Sequence, residues 1–495
     1  MTSSVFSLIP ESGLWSSADV MSVTGGNAYE KWIAFGVTID SREVKKGDLF
    51  IAIKGEKTDG HLFVEMALKN GAVAAIVDHV PSGIDPKKIL IVKDTFVALQ
   101  SLGCAARART AAKIIGVTGS VGKTGTKEML VHVFEKLGKT HGSIKSYNNH
   151  FGVPLSLARM SAGNDFGVFE MGMDHANEIL PLTKMVRPHI AIITTIATSH
   201  IENFSDGIEG IARAKAEIFA GLDEHGIVIV NHDNPEYDFL MAEAKKNNIN
   251  KIFSFGQHKE ADARIINLIA ASNGVRVNAK ILGEECIFTL KDAGEHNAMN
   301  ALSVLLAFKL MGGNMSDAVI ALGDMEPPVG RGKREYLNIG DVNNPVTLID
   351  ECYNASSSIT MHAAFKVLAL IDPGRGGRRI AILGDMYEQG KDAAAIHREL
   401  AMPLQAAGID LVYTCGPLMR NLYDALPEKK RGMHSNESQE LAKIVPDVLV
   451  PGDVVMVKGS RGGGDKPRMQ VIVEAMRKLP KNSKIAANNI KQERS

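Results

Sequence analysis

A glycine-rich segment near the middle of the chain has the residue types that bind phosphate. It consists of Thr118, Gly119, Ser120, Val121, Gly122, Lys123 and Thr124. Glycines let backbone N–H groups turn toward phosphate oxygens, and the N-terminus of a following helix adds a positive field. In such a loop the lysine reaches the β- and γ-phosphates of a nucleotide, and the threonine hydroxyl binds Mg²⁺.

The context of this segment supports a phosphate-binding loop. The preceding KIIGVTG is an apolar strand pattern, and the following TKEMLVHVFEKL has helical spacing. The strict pattern has a glycine at position 117, where this chain has Val117. The alternative is a glycine-rich turn with a solvated lysine, but the strand–loop–helix order favours nucleotide binding.

Two further residues follow apolar strands and suit a metal ion. Glu170 ends the pattern FGVFE, and His200 follows HIAIITTIATS. Ligands of open parallel sheets collect beyond the carboxyl ends of the strands. A carboxylate and an imidazole there, together with Thr124, are candidate Mg²⁺ ligands. The alternative is that Glu170 and His200 are ordinary loop residues without a metal.

Lys215 falls on the apolar face of a predicted helix that begins near Ile208. That face also carries Ile211, Ala212, Ile218, Phe219 and Leu222. One interpretation is a lysine whose stem covers the core while its ammonium reaches water. The other is a buried amine with a lowered pKa, neutral often enough to react with CO₂.

Three polar residues in the second half of the chain could contact a nucleotide, and Asp350 stands at a strand end nearby in the sequence. Asn297 and Asn300 share one face of a predicted helix and could read an adenine edge, or they are cap or surface residues. Arg331 could donate to a phosphate, or it is a solvated linker charge. Asp350 ends the strand pattern VTLID, and Asn354 and Ser356 could simply cap the next helix.

The candidate site residues are spread along the chain, and several α/β units are needed to position them. We expect a small mixed α/β domain at 1–112, a central P-loop domain with a mostly parallel sheet at 113–327, and a Rossmann-like domain at 328–480. Strand patterns alternate with helical ones in the last two segments, which indicates βαβ units. Residues 481–495 form a polar tail. The fold class is therefore α/β with three domains.

Composition restricts the partners and the compartment. The 56 basic residues balance the 56 acidic ones, so no excess charge favours nucleic acid or an anionic membrane. The N-terminus lacks the pattern of a secretory signal, and no apolar run approaches the roughly 18 residues that a membrane span needs. The four cysteines are widely spaced. We expect a cytoplasmic protein.

The motifs, in this order, resemble the Mur ligase family across nearly the whole chain. TGSVGKT resembles its nucleotide loop, and Asp40-Ser41-Arg42 with KKGDLFIAIKGEKTDGH resembles its uridine-nucleotide domain. The central domain is matched by SYNNHFGVPLSLARM, FEMGM, TSHIENF, ARAKAEIF and EHNAMNAL. SYNNHFGVP and DECYNASS look like the dipeptide-adding branch. The resemblance implies the three-domain Mur architecture.

The resemblance also implies roles for individual residues. The loop from Gly119 to Thr124 would hold ATP, while Thr124, Glu170, His200 and a carbamylated Lys215 would hold two Mg²⁺ ions. Asn297 and Asn300 would lie at the adenine, and Arg331 and Asp350 on the C-terminal face that closes on ATP. The implied substrate contacts are Ser41, Arg42, Asn148, Asn149, Tyr353 and Asn354. Lys123, Lys215 and His200 would be catalytic.

The implied reaction is ATP-dependent amide formation between UDP-N-acetylmuramoyl-tripeptide and D-alanyl-D-alanine, through an acyl phosphate, by a monomer. Neighbouring alternatives are a ligase that adds diaminopimelate or lysine and, in another class, a P-loop NTPase switch or a kinase. Three positions depart from the family pattern. Gly125 and Cys352 stand where serine is common, and Ser356 stands where proline is common.

Overall fold

The computed structural model describes residues 13–479, apart from 56–57, 145, 272–273, 292–293, 354, 356, 461 and 463–467. The predicted contacts of Asn354, the capping role of Ser356 and the predicted tail at 481–495 fall outside the described residues. Within the described part, no helix has the length and apolar character needed to cross a membrane.

The N-terminal part is built on a small sheet with strand order β2-β7-β6-β5-β4, beside the pair β1-β3. Its central strands pair in parallel and are buried. Its strands are β1 (Trp15–Ser16), β2 (Asn27–Ala28), β3 (Ile33–Ala34), β4 (Gly36–Thr38), β5 (Asp48–Ile51), β6 (Ala74–Val77) and β7 (Ile89–Ile91). Its helices are α1 (Ser17–Thr24), α2 (Val64–Lys69) and α3 (Thr95–Ala108), with 3₁₀ turns at Gly60–Phe63 and Pro86–Lys88.

The central part contains a nine-stranded sheet with strand order β16-β15-β14-β13-β12-β11-β8-β10-β9. The strands from β8 to β14 pair in parallel, and β14, β15 and β16 form an antiparallel extension. The strands are β8 (Lys113–Thr118), β9 (Thr140–Gly142), β10 (Phe166–Glu170), β11 (Ile190–Ile193), β12 (Ile227–Asn231), β13 (Lys251–Gly256), β14 (Ala263–Ala271), β15 (Gly274–Ile281) and β16 (Glu284–Leu290).

Helices cover both faces of this sheet, which explains why β8, β10, β11 and β12 are apolar along almost their whole length. The helices are α4 (Lys123–Phe134), α5 (Gly152–Ala158), α6 (Ile179–Val186), α7 (Ile208–Ala216), α8 (Tyr237–Lys246), α9 (Glu295–Leu310) and α10 (Met315–Asp324). Two 3₁₀ turns, Ile201–Asn203 and Glu217–Gly221, flank α7.

The C-terminal part contains a six-stranded sheet with strand order β17-β18-β22-β19-β20-β21, in which β17 alone is antiparallel. Its strands are β17 (Lys333–Leu337), β18 (Val346–Glu351), β19 (Arg379–Gly384), β20 (Leu411–Cys415), β21 (Arg431–Ser435) and β22 (Val454–Lys458). Its helices are α11 (Ser358–Ala369), α12 (Ala393–Glu399), α13 (Ala401–Ala406), α14 (Arg420–Ala425), α15 (Ser438–Val448) and α16 (Gln470–Arg477), with 3₁₀ turns at Gly390–Asp392 and Glu428–Lys430.

The predicted α/β class and the mostly parallel sheets are confirmed. The sequence did not predict the antiparallel extension β14 to β16, the antiparallel strand β17 or the parallel edge strand β21. The boundaries at residues 112, 327 and 480 stay predictions. For function, the decisive feature is that β8 lies between β10 and β11. Their carboxyl ends therefore meet at one edge of the sheet, where the glycine-rich loop leaves β8.

Candidate active site

The glycine-rich loop between β8 and α4 needs glycine at two positions. Gly119 has φ 146°, and a Cβ atom there would come within 2.0 Å of the Thr194 hydroxyl oxygen. Gly122 has φ 89°, and its Cβ would lie 2.7 Å from the side-chain amide of Asn300. Both conformations are disfavoured for residues with a side chain. The loop is therefore pressed between the end of β11 and helix α9, with its backbone turned toward α4.

Lys123 begins α4 and folds back over this loop. Its Nζ donates to the carbonyl oxygen of Gly119 at 2.6 Å and of Ser120 at 3.4 Å. Burial lowers the pKa of the Lys123 ammonium; Glu170 opposes that shift and Arg331 adds to it. The ammonium is thus held at the loop where phosphate oxygens would lie in a nucleotide complex.

Thr124 and Glu170 are joined directly. The Thr124 hydroxyl donates to Oε2 of Glu170 at 2.9 Å, and the Asn148 amide donates to Oε1 at 2.8 Å. Glu170 is only 1% exposed. Arg331 belongs to the C-terminal part, and its Nη2 donates to the Thr124 hydroxyl of the central part at 3.2 Å. Asn148, predicted as a substrate contact, therefore holds the candidate metal carboxylate in place.

His200 follows β11 in the left-handed backbone region, with φ 61°. Its Nδ1 contacts Oε2 of Glu388 and lies 3.4 Å from Oδ1 of Asp174. Sequence reasoning missed both carboxylates. Asp174 stands four residues after Glu170 at the end of the same strand, and this spacing could have indicated it. Glu388 comes from the C-terminal part, and no local pattern indicates it.

Lys215 is buried in α7, with 2% of its surface exposed. Burial lowers the pKa of this amine far below its ordinary value; the positive charge of Lys123 adds to the shift, whereas Asp174 and Glu217 oppose it. No hydrogen bond or ion pair reaches its nitrogen from the described residues. The interpretation in which the ammonium extends to water is therefore wrong. The environment favours an uncharged amine.

A cleft opens beside the loop, between α4, α9 and the connection to the C-terminal part. Asn297 lies in its wall, whereas Asn300 is buried against Gly122. Arg331 and Glu351 line the side formed by the C-terminal part. The apolar residues of the wall are Val121, Met129, Leu290, Leu322, Met325, Pro327 and Pro328. An apolar cleft with a few polar groups next to a phosphate loop suits a nucleotide base.

Asp350 does not face this cleft. Its carboxylate is fully buried, and Oδ2 accepts from Nη2 of Arg477 at 2.6 Å and from the backbone N–H of Gly330 at 3.2 Å. The next residue, Glu351, lines the cleft and pairs with Lys458 at 3.1 Å. Residues alternate sides along a strand, so the neighbour of the predicted residue faces the cleft.

The predicted substrate residues have varied surroundings. Arg42 is exposed and pairs with Asp40, with Nε–Oδ1 and Nη2–Oδ2 distances of 2.9 and 2.7 Å. Ser41 is buried, and its carbonyl accepts from the side chain of Asn70.

Asn149 accepts from the backbone N–H groups of Gly152 and Phe151. It therefore caps α5 and is not part of the cluster at Glu170. The hydroxyl of Tyr353 donates to Gln470 at 2.9 Å.

Three family models match the chain in succession. Their descriptions are "Mur ligase family, catalytic domain" at residues 35–109, "Mur ligase middle domain" at 117–308 and "Mur ligase, glutamate ligase domain" at 337–461. The chain belongs to the Mur ligase family. The predicted resemblance is confirmed, and the three-domain Mur architecture with it.

Among curated Mur ligases, the UDP-N-acetylmuramoyl-tripeptide–D-alanyl-D-alanine ligase of Rickettsia prowazekii is 32% identical, over 91% of this chain and 97% of its own length. The ligase of the same name from Bacillus subtilis is 33% identical, over 88% of this chain and 92% of its own length.

Solved structures of Mur ligases agree with these relatives. A crystal structure of MurF from Acinetobacter baumannii has a TM-score of 0.79 at 27% identity, with 94% of this chain and 99% of that chain covered. The MurF ligase of Thermotoga maritima, solved in complex with ADP, has a TM-score of 0.72 at 26% identity, with coverages of 90% and 97%.

The residues of this Mur ligase fit a nucleotide and a hard cation. The approaches at Gly119 and Gly122 leave no room for a side chain, which is expected of a loop that carries backbone N–H groups to phosphates. The hydroxyl of Thr124 and the carboxylate of Glu170 are oxygen donors of the type that Mg²⁺ prefers.

Proposed function

We propose that this Mur ligase joins D-alanyl-D-alanine to UDP-N-acetylmuramoyl-tripeptide, with conversion of ATP to ADP and phosphate, in the synthesis of peptidoglycan precursors. One observation carries the choice of substrates. The chain matches relatives named for this reaction at 32–33% identity over about nine-tenths of its length. The buried cluster at the end of β8, β10 and β11 supports the phosphate chemistry.

ATP would bind with its phosphates on the backbone of Gly119 to Gly122 and its base in the cleft beside Asn297. Lys123 needs only to turn from the Gly119 carbonyl to reach the β- and γ-phosphates. Arg331 already lies at the Thr124 hydroxyl and is suited to donate to the same phosphates. Asn300 supports the loop from behind, through its contact with Gly122.

Two Mg²⁺ ions are proposed for this site, held by Thr124, Glu170, His200 and Lys215. An ammonium at Lys215 would repel a cation, whereas a carbamate there is anionic and has oxygen donors. Carbamylation begins with attack of an uncharged amine on CO₂, and the burial of Lys215 favours the uncharged amine. When bound, the ions would offset negative charge on the transferring phosphoryl group.

The reaction needs an activated carboxylate, and ATP supplies the phosphoryl group that converts the tripeptide carboxylate into an acyl phosphate. Lys123 stabilises the charge that develops on the phosphoryl oxygens during transfer. The uncharged amine of the dipeptide then attacks the acyl carbon, and phosphate leaves. Arg331 and Glu351, from the C-terminal part, close one side of the cleft, which limits hydrolysis of the acyl phosphate by water.

We assign one binding task to each predicted domain. Ser41 and Arg42 of the N-terminal domain are proposed to meet the uridine diphosphate, and Tyr353 with Asn354 to meet the dipeptide. Asp350 is proposed to support Glu351 and the Arg331 turn, rather than to touch ATP. We further propose that the protein works as a monomer in the cytoplasm, where its four free cysteines remain reduced.

A coupled assay of ADP formation over a panel of amines tests this function. ADP should form only when ATP, UDP-N-acetylmuramoyl-tripeptide and D-alanyl-D-alanine are all present. Free diaminopimelate and free lysine are the matched controls, and both should give background rates. A preference for a free diamino acid would place the chain in a neighbouring branch. Phosphate release without the peptide and the amine would indicate an NTPase switch.

A further inference from the structure

A carboxylate from the C-terminal part touches the candidate metal ligand His200. Oε2 of Glu388 is in direct contact with Nδ1 of His200. Glu388 follows β19 of the six-stranded sheet, and His200 follows β11 of the nine-stranded sheet. The two 3₁₀ turns that come next, Ile201–Asn203 and Gly390–Asp392, lie against each other. The contact therefore joins two separately folded sheets at the edge where ATP would react.

Both partners have an uncommon backbone. The φ angle is 61° at His200 and 63° at Glu388, in the left-handed region that residues with side chains seldom adopt. Such conformations persist where the surroundings fix them, and they concentrate at functional sites. A chance contact between two loops does not require this conformation on both sides.

Glu388 contacts Nδ1 of the His200 ring, so the other ring nitrogen, Nε2, is left to bind a metal. Nδ1 is buried, and its contact with Glu388 does not have the angles of a hydrogen bond. A histidine that ligates a metal usually donates its second ring N–H to a carboxylate or carbonyl, which fixes the tautomer and the orientation of the ring. Asp174 lies 3.4 Å from Nδ1 but is more exposed than Glu388, and it belongs to the same sheet as His200.

We propose that Glu388 is a positioning residue that accepts the Nδ1–H of His200 and so presents Nε2 to Mg²⁺. This inference rests on the proposed function, because it requires His200 to be a metal ligand. It adds that the metal site is complete only when the C-terminal part lies against the central part. By thermodynamic linkage, metal binding and closure of the two parts then favour each other.

The test compares Glu388→Gln with Glu202→Gln in the full chain. Glu202 is an exposed residue at the same contact between the two parts, and its Cβ lies 3.9 Å from a Cβ built on Gly390. Mn²⁺ is titrated in the presence of a non-hydrolysable ATP analogue, and its binding is followed by electron paramagnetic resonance. The site of interest is the one that is lost in His200→Ala. Glu388→Gln should weaken Mn²⁺ at that site by about tenfold to a hundredfold. Glu202→Gln should leave it unchanged.

A second readout needs no metal. In the metal-free protein, ¹⁵N shifts of the labelled His200 ring should report the Nδ1–H tautomer for the wild type. They should shift toward the Nε2–H tautomer in Glu388→Gln. A purely structural role for Glu388 would not move this equilibrium, and thermal unfolding checks that the variant is folded.

The outcomes separate this inference from the proposed function. A wild-type chain that fails to ligate D-alanyl-D-alanine counts against the function, while the tautomer still decides whether Glu388 orients His200. An active wild type whose Mn²⁺ affinity and tautomer are unaltered in Glu388→Gln overturns the positioning role. An equal loss of Mn²⁺ affinity in Glu202→Gln also overturns it. The effect would then come from negative charge anywhere at the contact between the two parts, and not from Glu388 in particular.

Discussion

The Thr124 hydroxyl donates a 2.9 Å hydrogen bond to Glu170, which ties the first turn of α4 to the end of β10. The two residues reach this contact from different strand–loop connections of one sheet. Two oxygen donors are therefore already together before any cation binds, and little reorganisation is needed to bind one.

Lys123→Ala should reduce ligation at least about a hundredfold, since removal of one preorganised charge contact costs a few kcal/mol in the transition state. The measurement is the initial rate of ADP formation with both substrates saturating. Lys136→Ala removes an exposed lysine just beyond the same helix and is the matched control. Near-normal turnover of Lys123→Ala would refute the phosphate-binding role.

Rigorous removal of CO₂ and bicarbonate should lower activity about tenfold or more, and added bicarbonate should restore it, because Lys215 would lose its anionic carbamate. Lys215→Ala should be inactive in both conditions. Lys215→Arg should not rescue it, since a guanidinium stays cationic. Rates measured before and after degassing decide the matter. Full activity of the arginine variant would contradict carbamylation.

Arg477→Met should lower the free energy of unfolding by about 3 kcal/mol, because it leaves the fully buried carboxylate of Asp350 without its cation. Arg420→Met breaks an exposed pair with Asp424 and should lower the free energy of unfolding far less. Urea denaturation of both variants provides the comparison. Equal, small losses would mean that Asp350 does not depend on Arg477.

Asp385 makes stability depend on pH in an unusual direction. Burial raises the pKa of its carboxyl from 3.8 to about 6, against hydrogen bonds from Met419 and Leu418. The folded protein then binds more protons than the unfolded chain between pH 4 and 6, so this contribution to stability is present at low pH and is lost as pH rises through the folded pKa.

The free energy of unfolding of the wild type should therefore fall relative to that of Asp385→Asn as pH rises from 4 to 6. The fall should be at most about 3 kcal/mol. Asp447→Asn, which changes an exposed carboxylate, should show no such trend. Chemical denaturation at several pH values measures the difference. A constant difference would show that Asp385 titrates normally.

Local patterns predicted those parts of the site that one strand–loop–helix connection determines. The loop from Gly119 to Thr124 and the place of Lys215 on the apolar face of α7 follow from the residues immediately around them, since strand and helix periodicity set which side chains face the core. The same holds for Glu170 at the end of β10. These elements are confirmed as structure, while their functional roles stay proposals. Whether the Lys215 amine reaches water did not follow from the helix pattern.

Contacts between distant parts of the chain could not be predicted in this way. Glu388 reaches His200 from another sheet, and Arg477 reaches Asp350 from the last helix. Neither partner has a sequence signal that names the other. Asn148 and Asn149 are adjacent, but the first holds Glu170 and the second caps α5. Composition and spacing do not distinguish such neighbours, because tertiary packing decides which one turns inward.

The close approach of Gly122 and Asn300 has a consequence for inhibitor design. Resistance commonly arises when a substitution adds bulk where a compound rests. At Gly122 any added Cβ would lie 2.7 Å from the Asn300 amide, in a backbone conformation with φ 89°. A larger side chain there would have to push the Asn300 amide aside and would hold the loop in a strained backbone conformation. A compound seated against Gly122 would therefore rest on a surface with few routes of mutational escape.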